Sequence, residues 1–241
     1  MGEYMEKKKR MIMLVGSVIA VVLLFVAAVF VKSYTDKIRA EELQKEHYDS
    51  RVAYFEKDNK RYGSMDVDVA FIGDSLIEGY EVTRYYPQYV TANRGINGDT
   101  TITLEKRLKV SLYDLQPKIC VMQIGLNNYE DMFSNYEKML AEFKTKLPAT
   151  KIVVMSHLPT SQDMAESNPT LVENNKKIRS LAQKYGYTYI DAYTPMLDSK
   201  TNELLEKYTY DGVHLTQKGY ERLTEVVTPV IKNLINNNNF I

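Results

Sequence analysis

Cysteine, histidine and net charge are all scarce in this chain, and each shortage removes a class of function. A single cysteine, Cys120, among 241 residues excludes an intrachain disulfide. Its place inside the apolar segment 119–124 marks a buried strand residue rather than a nucleophile. Thirty-one basic residues balance thirty-one acidic ones. A chain with no excess positive charge offers no polyelectrolyte surface, so no nucleic-acid partner is expected. Only His47, His157 and His214 exist, and no two of them are spaced to share a face. With thiolates absent as well, no metal site is expected. The glycines at 95 and 98 are followed by no Gly-Lys-Ser/Thr and form no complete dinucleotide fingerprint, so no cofactor is expected either. Tryptophan is missing and tyrosine numbers 19, which decides nothing about function.

Charge is also missing from residues 11–31, which are almost wholly apolar. As a helix this segment would extend about 31 Å at ~1.5 Å per residue, matching a hydrocarbon core of ~30 Å. Lys7-Lys8-Lys9-Arg10 stands directly before it, and clustered positive charge at a first apolar segment stays in the cytoplasm. The expectation is therefore a single-pass signal anchor in the cell membrane, with the bulk of the protein extracytoplasmic. The rival is secretion after cleavage of a signal peptide, whose apolar region is typically only ~7–15 residues. No cysteine follows for a lipoprotein anchor, and Met1-Gly2-Glu3-Tyr4-Met5-Glu6 lacks the Ser or Thr of a myristoylation site.

Residues 32–62 lack glycine and proline up to Tyr62 and are highly charged. On a helical wheel Tyr34, Ile38, Tyr48, Val52 and Phe55 fall within roughly a third of the circumference, while Leu43 does not. A helical stalk fits, able to pack on the next domain, to self-associate, or to serve as a solvated spacer. The domain organisation expected is a cytoplasmic basic terminus at 1–10, an anchor at 11–31, a stalk at 32–62 and a catalytic domain at 63–241.

Within that last region strand-like runs at 67–72, 89–93, 118–124, 151–156 and 187–190 alternate with helical spacings. Tyr136, Met139, Leu140, Phe143 and Leu147 mark one helix, and Leu171, Asn175, Ile178, Leu181 and Tyr185 another. Thr216 is placed to cap a final helix, which Pro229 should kink or restart with Thr228 capping the new segment. Such alternation predicts an α/β fold, a parallel sheet with helices on both faces, whose ligands bind at the carboxyl ends of the strands.

Four segments follow strands or precede the last helix and carry chemistry. Gly73-Asp74-Ser75-Leu76 ends the first strand with a hydroxyl where an exposed nucleophile would stand, although Gly, Asp and Ser are also ordinary turn residues. Asn93 to Thr100 holds glycines at 95 and 98 that let backbone approach a ligand closely. Asn127, after Gly125, could aim its amide at developing negative charge or merely cap a helix. Asp211 and His214, three apart around Gly212, can fold back so that the carboxylate takes one imidazole nitrogen and leaves the other as a base. His157 ends a strand but has no neighbouring carboxylate. The Gly-x-Ser-x-Gly elbow is absent, since Ile77 stands at its second glycine, so an α/β-hydrolase fold is not expected.

Gly-Asp-Ser-Leu at 73–76, Asn-Arg-Gly at 93–95, Gly-x-Asn at 125–127 and Asp-x-x-His at 211–214 resemble, in order, the four motif blocks of the SGNH (GDSL-like) hydrolase family. The resemblance covers the chain from about residue 67 to the end of the last helix. It implies a flavodoxin-like three-layer α/β/α fold with a five-stranded parallel sheet. It implies Ser75 as nucleophile, His214 as general base and Asp211 orienting His214, with the Ser75 and Gly95 N–H groups and the Asn127 amide forming an oxyanion hole. Asn128 departs from the aspartate that many relatives carry there. The activity implied is a serine esterase acting on a small acylated substrate, an acyl sugar or lipid ester. The alternatives are an O-acyltransferase modifying a cell-surface glycan and a non-catalytic tethered binding module, against which the intact Ser75, Asp211 and His214 argue. Residues 85–87 and 158–169 are candidates to line a substrate pocket.

Overall fold

The computed structural model describes residues 1–237, apart from the side chains of Ile12, Val15 and 17–22. Helix α1 covers Gly2–Asn59. The chain divides into two compact units, Met1–Asp49 and Ser50–Ile241. Among the described residues no helix is long and apolar enough to cross a membrane. The anchor expected over 11–31 lies in part outside the described residues.

The second unit begins earlier than the Gly63 boundary expected from composition. The last turns of α1 carry Phe55, wholly buried, and Asp58, which pairs at 2.9 Å with an Arg94 guanidinium that is 1% exposed. An unpaired guanidinium so deeply buried would cost several kcal/mol, so these turns are part of the globular unit. Its chain then runs through β1 (Val69–Gly73), α2 (Ser75–Glu78), α3 (Val82–Tyr85), β2 (Thr91–Gly95), α4 (Thr101–Leu108), β3 (Ile119–Gln123), α5 (Phe133–Lys146), β4 (Lys151–Met155), α6 (Asn168–Tyr185), β5 (Thr188–Ile190) and α7 (Gln217–Asn236). All five strands are parallel in the order β2-β1-β3-β4-β5. Each lies within two residues of its expected position.

Alternate residues of the central strands serve opposite layers, as a pleat of period two requires. Ala70, Ile72, Cys120, Met122, Ile152 and Val154 pack with Leu104 of α4, Phe143 of α5 and Ile178 of α6. Val69, Phe71, Ile119, Val121, Val153 and Met155 face Leu76 of α2, Val82 of α3 and Leu223 of α7. Cys120 is free and buried, and burial pushes its thiol up, away from a nucleophile's range. Tyr86, from one of the segments expected at a pocket, is instead buried and stacked on Phe71 at 5.4 Å.

Helix α7 starts as expected, the Thr216 hydroxyl accepting from the Gly219 N–H at 3.2 Å. It does not restart at Pro229. The helix continues through the proline, and the Thr228 hydroxyl donates back to the Thr224 carbonyl at 2.6 Å instead of capping a new segment. Leu223, Val227 and Ile231 are fully buried along one stripe, and keeping that stripe on the sheet outweighs the one backbone bond a proline removes. The next two strands in sequence lie on opposite sides of β1, so β1 and β3 bracket the point where strand order reverses, the usual place for a site in an open parallel sheet.

Candidate active site

Strand β1 ends at Gly73 because a side chain there would strike its neighbour: a Cβ would lie 2.0 Å from the Gln123 carbonyl oxygen of β3. Asp74 caps α2 by accepting from the Leu76 N–H at 3.1 Å, which makes the half-buried Ser75 the first helical residue. From the other side comes the turn before α7. The Thr209 hydroxyl oxygen accepts from the Gly212 N–H at 2.9 Å, and that hydroxyl donates to the His214 carbonyl at 2.8 Å. Gly212 has φ +86°, and a Cβ on it would lie 2.3 Å from the Ser161 carbonyl oxygen. Only glycine closes this turn without strain.

The turn folds Asp211 back on His214. Its Oδ1 accepts from the N–H groups of Val213 (3.0 Å) and His214 (2.7 Å), and its Oδ2 lies 2.7 Å from His214 Nδ1. His214 Nε2 lies 3.0 Å from Ser75 Oγ. Burial pushes the Asp211 carboxyl up, but the bonds from the His214 ring and from the two backbone N–H groups outweigh it and hold the group below its ordinary value. A carboxylate on Nδ1 favours the tautomer in which Nε2 is the free acceptor facing the hydroxyl. Ser75, Asp211 and His214 are thus brought together. Tyr210, two-thirds exposed, stacks on the imidazole with centroids 5.9 Å apart.

A serine from the first strand's end thus meets an imidazole and a carboxylate from the turn before the last helix, at the strand-order reversal. The profile of the GDSL-like lipase/acylhydrolase family matches residues 71–222. The chain belongs to that family. Membership makes it a serine ester hydrolase. Among solved structures, a GDSL-like lipase from Bacteroides thetaiotaomicron superposes with a TM-score of 0.68 at 21% identity, over 76% of this chain and 97% of the other. An acetylxylan esterase from Geobacillus stearothermophilus gives a TM-score of 0.59 at 16% identity, over 70% and 95%. At such identities these likenesses show the fold. No curated protein matches the chain by sequence.

For a GDSL-like acylhydrolase the donors beside the serine matter as much as the base. Gly95 is buried, its N–H donates to Asn93 Oδ1 at 2.9 Å, and its carbonyl accepts from Arg51 at 2.9 Å. A Cβ on it would lie 2.2 Å from the Glu78 nitrogen. Both of its backbone groups therefore have partners within the protein. Gly98, the second glycine of this loop, stands three residues further on and is exposed. The Ile96 N–H bonds the Gly73 carbonyl at 3.1 Å, and Asp99 N–H closes a turn on the Ile96 carbonyl at 3.1 Å. Gly98, exposed at φ +76°, is the third residue of that turn. Asn127 is exposed and donates from Nδ2 to the Asp99 carbonyl at 2.8 Å. That amide and the turn's backbone are therefore neighbours. A positive φ at a tight turn was the sequence signal, present in the Asn-Gly dipeptide at 97–98.

Two side chains, the buried Arg107 and the half-buried Asn128, support this arrangement. Arg107 donates to Asp99 Oδ2 at 2.6 Å, to the Gly73 carbonyl at 3.0 Å and to Ser111 Oγ at 2.7 Å, tying the loop to the end of β1. Asn128 accepts from the Thr101 N–H and donates to its hydroxyl, at 3.1 and 2.9 Å, fixing the start of α4. Asp74 is buried, and burial pushes its carboxyl up to about 7; the Leu76 N–H opposes the shift, Asp99 adds to it, and His214 opposes it. His157 does not reach Ser75. It is buried with Nε2 3.3 Å from Met132 Sδ, and burial pulls its imidazole down to about 4. Its Cε1 would lie 3.3 Å from a Cβ on Gly125, so it packs beneath the Asn127 segment as support.

Proposed function

We propose that this GDSL-like acylhydrolase removes a small acyl group, acetyl foremost, from a carbohydrate ester through an acyl-enzyme on Ser75, and works outside the cell membrane to which residues 11–31 hold it. The observation that carries the catalytic part is the chain of contacts from Asp211 through His214 to Ser75, at 2.7 and 3.0 Å. His214 Nε2 takes the hydroxyl proton as Ser75 Oγ attacks the ester carbonyl. The oxyanion forms among the Ser75 N–H, the Gly98 N–H and Asn127 Nδ2, each such donor contributing about 3 kcal/mol to barrier lowering. The alcohol departs with the proton from His214, and water activated by the same imidazole hydrolyses the acyl-enzyme. The fold neighbour described as an acetylxylan esterase supports an acetylated sugar as the substrate class. The uncharged run after Lys7-Lys8-Lys9-Arg10 supports the anchor and its orientation.

A serine-directed fluorophosphonate should label the full chain, and Ser75→Ala should abolish labelling. Label on another serine refutes the assignment. Acetylated sugars offered with an acceptor sugar should release free acetate; transfer of the acetyl group to the acceptor would make the protein an acyltransferase. A reporter active only outside the cytoplasm, fused after Ile241, should be active, and silence there refutes the topology.

A further inference from the structure

We propose that Arg51 and Glu78 are positioning residues for the oxyanion loop, so that the last turns of α1 belong to the catalytic apparatus. The inference rests on the reading of Gly98 and Ser75 given above. Arg51 donates from Nη2 and Nε to the Gly95 carbonyl, at 2.9 and 3.3 Å. The same Nε lies 3.3 Å from Glu78 Oε1, and Glu78 Oε2 accepts from the Asn97 N–H at 2.5 Å. The loop is thus held at a carbonyl on residue 95 and at an N–H on residue 97, immediately before the peptide that presents the Gly98 N–H. Glu78 lies on α2, three residues beyond Ser75, so the pair joins the nucleophile's helix to the loop opposite it.

The clamp is itself fixed. The Arg51 guanidinium lies 4.9 Å from the centroid of Phe55, a fully buried ring, and both members of the pair are little more than a fifth exposed. A planar fork can serve one carbonyl and one carboxylate at once, which a lysine ammonium on a flexible stem does less well. An oxyanion donor acts on the transition state more than on the bound ester, so tilting it should lower kcat and leave KM nearly alone.

The experiment measures kcat and KM of the full chain in mild detergent on a small activated acetyl ester, with melting temperature and fluorophosphonate labelling in parallel. Arg51→Ala and Glu78→Gln should each lower kcat roughly 10- to 100-fold, the loss expected for a misplacement of about 1 Å. KM should stay within about twofold, and Arg51→Lys should fall between. The double variant should lose little more than the worse single one, because both hold one loop. Arg84→Ala, which removes an exposed pair with Glu81, should leave kcat unchanged. Should Arg51→Ala fail to fold, Glu78→Gln and Arg51→Lys decide the matter. Variants with lower melting temperatures but wild-type kcat, or with a raised KM alone, overturn the inference. Wild-type protein unlabelled at Ser75 would overturn the reading of the site and this inference with it, whereas labelled wild type with unaltered variants overturns this inference alone.

Discussion

Replacing Asp74 by asparagine should stabilise the protein, and increasingly so as the pH rises. Asp74 is 2% exposed, and burial, the largest influence on it, pushes its carboxyl from 3.8 up to about 7. The sign follows from linkage. Below the unfolded value both states hold the proton and the two proteins differ little. Between about 4 and 7 the unfolded chain releases the proton while the folded one keeps it, so wild type loses about 1.4 kcal/mol per pH unit. Above 7 the penalty levels off, on the order of 4 kcal/mol for a shift of about three units. Asparagine can still accept the Leu76 N–H through its side-chain oxygen and has nothing to ionise. The gap should therefore be about 1–2 kcal/mol at pH 5 and roughly 4 at pH 8.5, the latter worth on the order of 10 °C in melting temperature. Urea unfolding of both proteins at four pH values reads it directly, since Asp99, Arg107 and the remaining groups are common to both. A gap that stays constant with pH, or wild type gaining on the variant at alkaline pH, would refute the reasoning.

The remaining predictions concern packing and protonation. Gly95→Ala would push a Cβ to 2.2 Å from the Glu78 nitrogen and 2.7 Å from its Cα; overpacking against backbone should cost about 3 kcal/mol and lower activity, both seen by unfolding and ester assays. A chain beginning at Gly63 should be far less stable than one beginning at Ser50, because it loses buried Phe55 and strands Arg94 without Asp58. Each loss is worth about 3–5 kcal/mol, and equal melting temperatures for the two chains would contradict it. His157, drawn down to about 4, should keep its imidazole resonances fixed from pH 8 to 5, and an NMR midpoint above 6 would show that it is not buried as described. Asp211, held below its ordinary value, stays ionised through that range, and Asp211→Asn, which removes the charge that orients the His214 ring, should lower kcat by roughly 10⁴-fold in the ester assay.

The sheet was readable because its central strands are buried on both faces, as the uniformly buried β1 and β3 are. Such strands are continuous apolar runs that end at glycine or polar residues. Ser75, Asp211 and His214 were readable for a related reason: each stands at a strand end or a tight turn whose residue types announce it. What sequence could not resolve was which backbone groups the protein keeps for itself. Gly95 and Gly98 look alike in a motif, yet Asn93 and Arg51 occupy the first while the second is the open corner of a turn. The end of α1 was hidden differently. Lysine, glutamate and arginine around Phe55 left a packed helix and a solvated spacer equally open, and the tertiary partners of Asp58 and Arg51 show that these turns are packed. At Pro229 local propensity pointed one way and the buried stripe of α7 prevailed.

The placement of Arg51 on the Gly95 carbonyl has a consequence for solubility. Strand β2 is one of the two outer strands of the sheet, and an outer strand offers unpaired backbone acceptors to any passing chain. Here a guanidinium from the neighbouring helix occupies the acceptor at the carboxyl end of that strand. A cation with a committed acceptor beneath it is a poor template for strand addition. The same contact therefore guards the edge of the sheet against pairing with other copies, and trimming the helix end would expose a sticky strand as well as a loosened loop.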